Sequence, residues 1–448
     1  MKNSSKNISI IFLVFSIFLL AYLFYLSEIQ YSGTKKSYFL TYYYISYTLI
    51  ILSIISFFVS KETKYKIILV LISIIFGLYV VEFFLQKKFF SVNKKNLNNL
   101  NIKYDNRTKL KVYHDEKLYE PNMAVVISPE TFLNNTDTKL RPLSGISNKK
   151  TIHCNENGYY SIYQSDQYGF NNPNSEWNKE QIEFLLIGDS FVHGNCVNEP
   201  DTIGGNLRKK LRNKGVLNLG QESSGPLTEY AILREYFSLI NTKRVIWIYF
   251  INDLANLKSE LNDNILTNYL NDQNYSQNLY LRQKELDNIL EKKLFETYSS
   301  NLNTKIVLKQ KFDFKRFIKL TNLRIVTIEA LFRSHENLDN FSQIINLSRN
   351  LVEKNGETKF YFVYLPEILR YSIPTMKSGK FYHYENVILT VKKLNIPVID
   401  LHKELFQNHN DPLSLFPFRS PGHFNELGYK HMAETIFKKI VDYENNNK

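Results

Sequence analysis

Apolar positions gather in two different ways along this chain. Near the start they run unbroken. Residues 8–26 read ISIIFLVFSIFLLAYLFYL, residues 38–59 read YFLTYYYISYTLIILSIISFFV, and residues 67–86 read IILVLISIIFGLYVVEFFLQ with one acid, Glu82. Each is close to the ~20 apolar residues that cross a bilayer core. The pattern predicts three transmembrane helices in a membrane anchor over residues 1–99. The first span is long for the apolar core of a signal peptide, and no small-residue cleavage site follows it. Lysines flank the spans in near balance: Lys2 and Lys6, then Lys35 and Lys36, then Lys61, Lys64 and Lys66, then Lys87, Lys88, Lys94 and Lys95. Counting positive charge therefore leaves orientation weakly set.

Beyond residue 100 the apolar runs become short. Residues 100–182 are polar and broken by Pro121, Pro129, Pro142 and Pro173. They read as short strands and loops forming a collar packed on the next domain. From 183 to 448 strands and helices alternate. Strands are expected at 183–187, 215–219, 244–251, 359–365 and 397–400. Helices are expected at 201–213, 226–241, near 336–354, near 383–394, and from about Asn425 to Asp442. Short, wholly apolar strands between helices indicate a parallel sheet covered on both faces. The stretch 254–335 interrupts the rhythm with amphipathic pieces such as LRQKELDNILEKKLFETY. It reads as a helical insertion placed either to roof a site or to pack as an appendage.

Composition changes this picture little. The formal charge is +13 over 448 residues. The lysines are scattered, without a stripe or interleaved aromatics, which argues against nucleic acid as a partner. The two cysteines, Cys154 and Cys196, both lie beyond the apolar spans. A disulfide, which favours an extracytoplasmic compartment, and two separate thiols both remain open.

Parallel sheets hold ligands at the carboxyl ends of their strands. The first strand ends in Gly188-Asp189-Ser190, the second in NLGQESSGP, the third in Asn252-Asp253, and after the fifth comes SPGHFNELGY with His423. This set fits acyl transfer. Ser190 would be the nucleophile and His423 its base, and the Ser190 N–H, a glycine N–H of the second loop, which holds Gly220 and Gly225, and the Asn252 amide would hold the oxyanion. Each piece alone is weak, since most serines at such turns cap a helix. His193, three residues after Ser190, is a rival base that is expected to line the pocket or pack locally, and Asp189 is expected to structure the loop. No His, Cys and carboxylate cluster has metal-ligand spacing, and Gly188 and Gly194 are too sparse for a phosphate loop, so neither metal nor cofactor is expected.

With those residues in view, the chain resembles the SGNH, or GDSL-type, hydrolases over roughly 183–440. The four blocks match at Ser190 in IGDSF, Gly225 in SSGP, Asn252 in FINDL and His423 in GHFNELGY. The resemblance implies a flavodoxin-like α/β fold, a three-layer α/β/α sandwich with a parallel five-stranded sheet. The chain's motifs resemble those of membrane-anchored bacterial members, in which a segment like LRPLSGISNKKTIHCNENGYYSIYQSDQYGFNN precedes the serine block. The resemblance implies that Cys154 and Cys196 lie near one another. Two departures stand out. Tyr249 or Phe250 occupies the glycine region of the asparagine block, and Ser420 stands where the family places an aspartate three residues before the histidine. Asp400, Asp411 or a backbone carbonyl would have to orient His423 instead.

The expected function is a membrane-tethered serine esterase acting on acyl or acetyl esters of envelope glycan or lipid. An O-acetyltransferase of surface polysaccharide, supplied by a membrane acyl-donor partner, is the second reading. A non-catalytic glycan-binding scaffold, motivated by the missing aspartate, is the third. The expected location is the cell membrane, multi-pass, with the α/β domain outside the cytoplasm.

Overall fold

The computed structural model describes residues 2–30, 36–99, 104–134, 139–211, 214–298, 314–321, 323, 337–354, 356–372 and 384–446. It divides into two compact units, Met1–Gln86 with Phe314–Arg324, and Lys87–Asp313 with Ile325–Lys448.

In the first unit the usual order of burial is inverted. Ile11, Val14, Phe18 and Phe76 are exposed, while Ser9, Ser16, Ser46 and Ser53 are fully buried. The Lys64 ammonium donates to Ser9 Oγ at 2.8 Å in the interior. Small and hydroxyl side chains between helices, with large apolar ones outward, are the pattern of helices packed in lipid. Two helical stretches are long and apolar enough to cross a membrane, Lys6–Gln30 and Lys61–Gln86. Of the expected second span, the helix Lys36–Ser56 carries a shorter apolar run, Tyr42–Ser56. The segment Phe314–Ile318 belongs to this unit, where the Tyr79 hydroxyl donates to the Ile318 carbonyl at 3.1 Å. The residues of the insertion at 299–313, 322 and 324–336 lie outside the described ones.

The second unit holds two sheets. A three-stranded sheet in the collar joins β1 (Met123–Val125), β2 (Lys150–Ile152) and β3 (Ile162–Gln164). The main sheet has β4 (Ile182–Gly188), β5 (Gly215–Asn218), β6 (Arg244–Tyr249), β7 (Lys359–Tyr364) and β8 (Val398–Asp400). All its pairings are parallel, and the order is β5-β4-β6-β7-β8. That is the flavodoxin-like order, in which β4, first in sequence, sits between the second and the third.

Alternation along these strands builds two cores. Leu185, Ile187, Val245, Trp247, Tyr249, Phe360 and Phe362 face one, which is closed by the helices Pro226–Tyr236, Leu338–Glu353 and Tyr384–Lys393. Phe184, Leu186, Ile246, Ile248, Tyr361 and Val363 face the other, closed by Ile203–Leu211 and Glu426–Asn446. The result is the three-layer α/β/α sandwich. With both faces dry, each strand reads as a continuous apolar run. The collar keeps a third, smaller core, in which Leu290 and Leu294 of the helix Gln283–Tyr298 meet Val112 and Tyr113.

The strand connections reverse direction on either side of β4, so the switch point lies between β4 and β6. Ser190 follows the first of these strands and Asn252 the second.

Candidate active site

Ser190 begins a one-turn helix, Ser190–His193, directly off β4. The turn requires Gly188, whose φ is 157°, because a Cβ there would lie 2.5 Å from Val192 Cγ2 and 2.6 Å from the Ile248 carbonyl oxygen. Asp189 structures the loop. Its Oδ1 accepts the Phe191 N–H at 2.9 Å, and burial, against the pull of that N–H, raises its carboxyl pKa. The Ser190 N–H opens the helix, where backbone donors have no intrahelical acceptor.

His423 arrives from the far end of the chain, three residues before the helix Glu426–Asn446. Asn425 fixes that approach. Its Oδ1 accepts the Gly428 N–H at 2.9 Å and its Nδ2 donates to the Ser414 carbonyl at 2.8 Å. The imidazole lies against Phe191, ring centroids 4.6 Å apart. Its Nε2 is 2.9 Å from Ser190 Oγ. Ser190 and His423, 233 positions apart, are therefore joined by a direct hydrogen bond.

The other ring nitrogen meets a residue that sequence reasoning missed. His423 Nδ1 is 3.1 Å from Glu156 Oε1, and the His423 backbone N–H donates to Glu156 Oε2 at 2.6 Å. A proton on Nδ1 donates to that carboxylate, which leaves Nε2 as the acceptor for the serine hydroxyl. Burial works against the imidazolium, but the Glu156 hydrogen bond and charge, with the charges of Asp189 and Glu222, outweigh it and raise the His423 pKa above its ordinary value. Burial likewise opposes the Glu156 carboxylate, and its bonds to His423 outweigh this and lower its pKa. The expected substitutes are engaged elsewhere. Asp400 accepts from the Tyr384 hydroxyl, Asp411 pairs with Arg419, and Ser420 Oγ donates to the Phe418 carbonyl at 3.1 Å.

Glu156 lies on a turn between β2 and β3, in the collar, and a disulfide binds that turn to the serine loop. Cys154 and Cys196 are bonded, with Cα atoms 4.8 Å apart. Had the pairing been known, Glu156, two residues from Cys154, would have come within reach of Ser190 on sequence grounds. Glu156, Cys196 and His423 offer atoms within 4.8 Å of one another, the sulfur being committed to the disulfide.

The expectation for Gly225 is corrected. Its N–H donates to Glu260 Oε1 at 2.7 Å, and the Leu227 N–H donates to Glu260 Oε2 at 3.0 Å. Gly225 caps the helix Pro226–Tyr236, and a carboxylate from the next helix takes up the free donors of that N-terminus. The glycine serves close packing instead, for a Cβ there would lie 2.7 Å from Asn256 Cβ and 2.9 Å from the Leu257 nitrogen. Asn252 follows β6 at the same rim as Ser190, and its side chain is one of the groups that favour the Asp189 carboxylate against burial. His193 is buried, its Nε2 3.1 Å from the Tyr163 hydroxyl, and burial, then the charge of His423, push its pKa down to about 3. It packs on His153, centroids 4.3 Å apart, and makes no contact as a base to Ser190.

No protein-family model matches the chain, and no curated protein matches it. Among solved structures it is similar to a member of the lipolytic protein G-D-S-L family from Veillonella parvula DSM 2008, at 13% identity over 57% of this chain and 97% of that one, TM-score 0.30. It is similar to the lipase/acylhydrolase from Enterococcus faecalis, at 12% identity over 58% and 95%, TM-score 0.33. It is similar as well to the acetyl xylan esterase AlAXEase, at 12% identity over 58% and 100%, TM-score 0.33.

Proposed function

We propose that the chain is a membrane-tethered serine esterase. The observation that carries this reading is the chain of contacts from Ser190 Oγ to His423 Nε2, 2.9 Å, and from His423 Nδ1 to Glu156, 3.1 Å. A nucleophile bonded to a base that is itself oriented by a third group is the arrangement that acyl transfer requires.

In this reading Ser190 Oγ attacks the ester carbonyl carbon while His423 Nε2 takes the hydroxyl proton. Glu156 keeps the imidazole in the Nδ1–H tautomer and stabilises the imidazolium. The negative charge growing on the carbonyl oxygen is met by the Ser190 N–H and the Asn252 side chain. His423 returns its proton to the departing alcohol. Water, deprotonated by the same nitrogen, then releases the acyl group from Ser190. Glu156 supplies what Ser420 does not, which removes the motive for a scaffold reading.

Three further elements belong to the proposal. The helix Lys36–Ser56 crosses the membrane beside the two longer apolar helices, and its buried serines support this. The α/β unit works outside the cytoplasm, which the disulfide favours. The substrate is an acyl or acetyl ester of an envelope glycan or lipid.

The test is hydrolysis of 4-nitrophenyl acetate by the detergent-solubilised full chain. Loss of turnover in both Ser190→Ala and His423→Ala supports the esterase. Turnover that survives either change refutes it, and acyl transfer to added glycan at the expense of hydrolysis identifies a transferase.

A further inference from the structure

Glu156 is the member of the site that the collar supplies, while Ser190, Asn252 and His423 come from the loops of the main sheet and the approach to its last helix. It sits on the turn that follows β2, which ends at Ile152, and precedes β3, which starts at Ile162. A group acting through an imidazole must be held to within about an ångström. Two links to the serine loop bracket it. On one side Cys154 is bonded to Cys196, closing 42 residues. On the other, Asn157 Nδ2 donates to the Cys196 carbonyl at 3.0 Å. Both converge on Cys196, whose φ of 64° lies in the left-handed region that residues with a Cβ avoid. Cys196 is fully buried, and its sulfur lies within 4.8 Å of both the carboxylate and the imidazole.

Resting on the esterase reading above, we infer that the Cys154–Cys196 disulfide is a positioning element of this site. It holds Glu156 against His423, so that the oxidised protein is the fast esterase and the reduced one is slow. Cys154 is partly exposed and Cys196 is not, so a dithiol reaches the Cys154 sulfur first. Its thiolate bonds to Cys154 Sγ, the S–S bond breaks, and Cys196 leaves as a thiolate that takes a proton. The second thiol of the reductant then displaces Cys154. Two cysteine thiols and one oxidised dithiol result. Cys196 is then free to leave its left-handed backbone, and the turn is left with hydrogen bonds alone, Asn157 Nδ2 to the Cys196 carbonyl, which moves with Cys196, and the Tyr159 hydroxyl to Glu426.

The charged and titratable groups that act on His423 are Glu156, Asp189, Glu222, His153 and His193. Only Glu156 and His153 ride on the bridged segment, and burial keeps His153 neutral. Reduction therefore removes chiefly the carboxylate that raises the His423 pKa.

The experiment uses the full chain in detergent, air-oxidised, then reduced with dithiothreitol, then reoxidised, beside Glu156→Gln carried through the same cycle. Oxidised wild type is expected to lose ~10-fold or more in kcat on reduction, with KM changed less than about 2-fold. The acidic limb of its pH–rate profile moves to lower pH, and reoxidation restores both. Glu156→Gln starts slow and changes less than about 2-fold through the cycle, because the group to be positioned is gone. The same contact is read without substrate by the low-field proton resonance of the His423 Nδ1–H, present when oxidised and lost on reduction. A resonance that persists on reduction overturns the inference. So does an equal loss of rate in wild type and Glu156→Gln, which marks the bridge as a general fold staple. Hydrolysis undiminished in Ser190→Ala would instead overturn the esterase reading, leaving the resonance to decide the role of the bridge.

Discussion

The sandwich and the collar contribute to one site by opposite means. The sandwich places Ser190, Asn252 and His423 by secondary structure, at the ends of buried strands and before a capped helix. The collar places Glu156 on a turn joined to the serine loop by a disulfide and by the hydrogen bond of Asn157 to the Cys196 carbonyl. A rigid scaffold tolerates change around its residues, whereas a turn held by a few links fails when any one is lost. For the proposed esterase this means that Ser190 and His423 are firmly held, and that the orientation of His423 by Glu156 is the fragile part.

The largest effect tests the sandwich side. Ser190→Ala and His423→Ala should each lower kcat/KM by roughly 10⁴-fold or more, and the double variant should be no worse than either. Steady-state hydrolysis of a chromogenic ester checks this, and additive losses would separate the two residues.

Next comes the collar. Glu156→Gln should lower kcat by roughly 10²–10⁴-fold, while Asp400→Asn and Asp411→Asn, which remove the carboxylates of the sandwich loops, change it less than about 2-fold. The pH dependence carries a sign. His423 must be neutral to act, and its pKa is raised in the folded protein by Glu156. Activity of the wild type should therefore fall on acidification through a pKa above the ordinary imidazole value, and Glu156→Gln should shift that limb downward.

A subtler way to break the comparison is Gly422→Ala. The added Cβ would lie 2.6 Å from Glu156 Oε2, the mobile end of a side chain. The carboxylate is expected to swing aside at small cost to folding, with kcat down by about 10-fold and Tm nearly unchanged. Gly225→Ala should do the reverse. Its Cβ meets backbone and Cβ atoms of the helix Asp253–Glu260, so thermal unfolding should report a loss of about 1–3 kcal/mol, with the effect on rate no larger than that loss explains.

The same contrast explains what was legible in the sequence. Strands expected at 183–187, 244–251 and 359–365 appear as Ile182–Gly188, Arg244–Tyr249 and Lys359–Tyr364, because burial on two faces demands an apolar run that no other element imitates at that length. Ser190 and His423 could be read because strand ends of a parallel sheet meet at one rim. Gly225 misled because a glycine before a helix looks the same whether its N–H faces a ligand or a carboxylate such as Glu260, 35 residues away. Glu156 was invisible because nothing local marks a carboxylate in a polar turn, and only the pairing of Cys154 with Cys196 gives it an address. The apolar helices were legible as runs, while the length of the second is where the structure is more modest, with Tyr42–Ser56 as its apolar part.

The most direct test of the central claim is covalent labelling of the full chain with a fluorophosphonate, with the adduct located by mass spectrometry. One adduct is expected, on Ser190, forming at least ~100-fold more slowly in His423→Ala. A wild-type chain that takes no label at Ser190, or one that is labelled there equally fast without His423, would contradict the account.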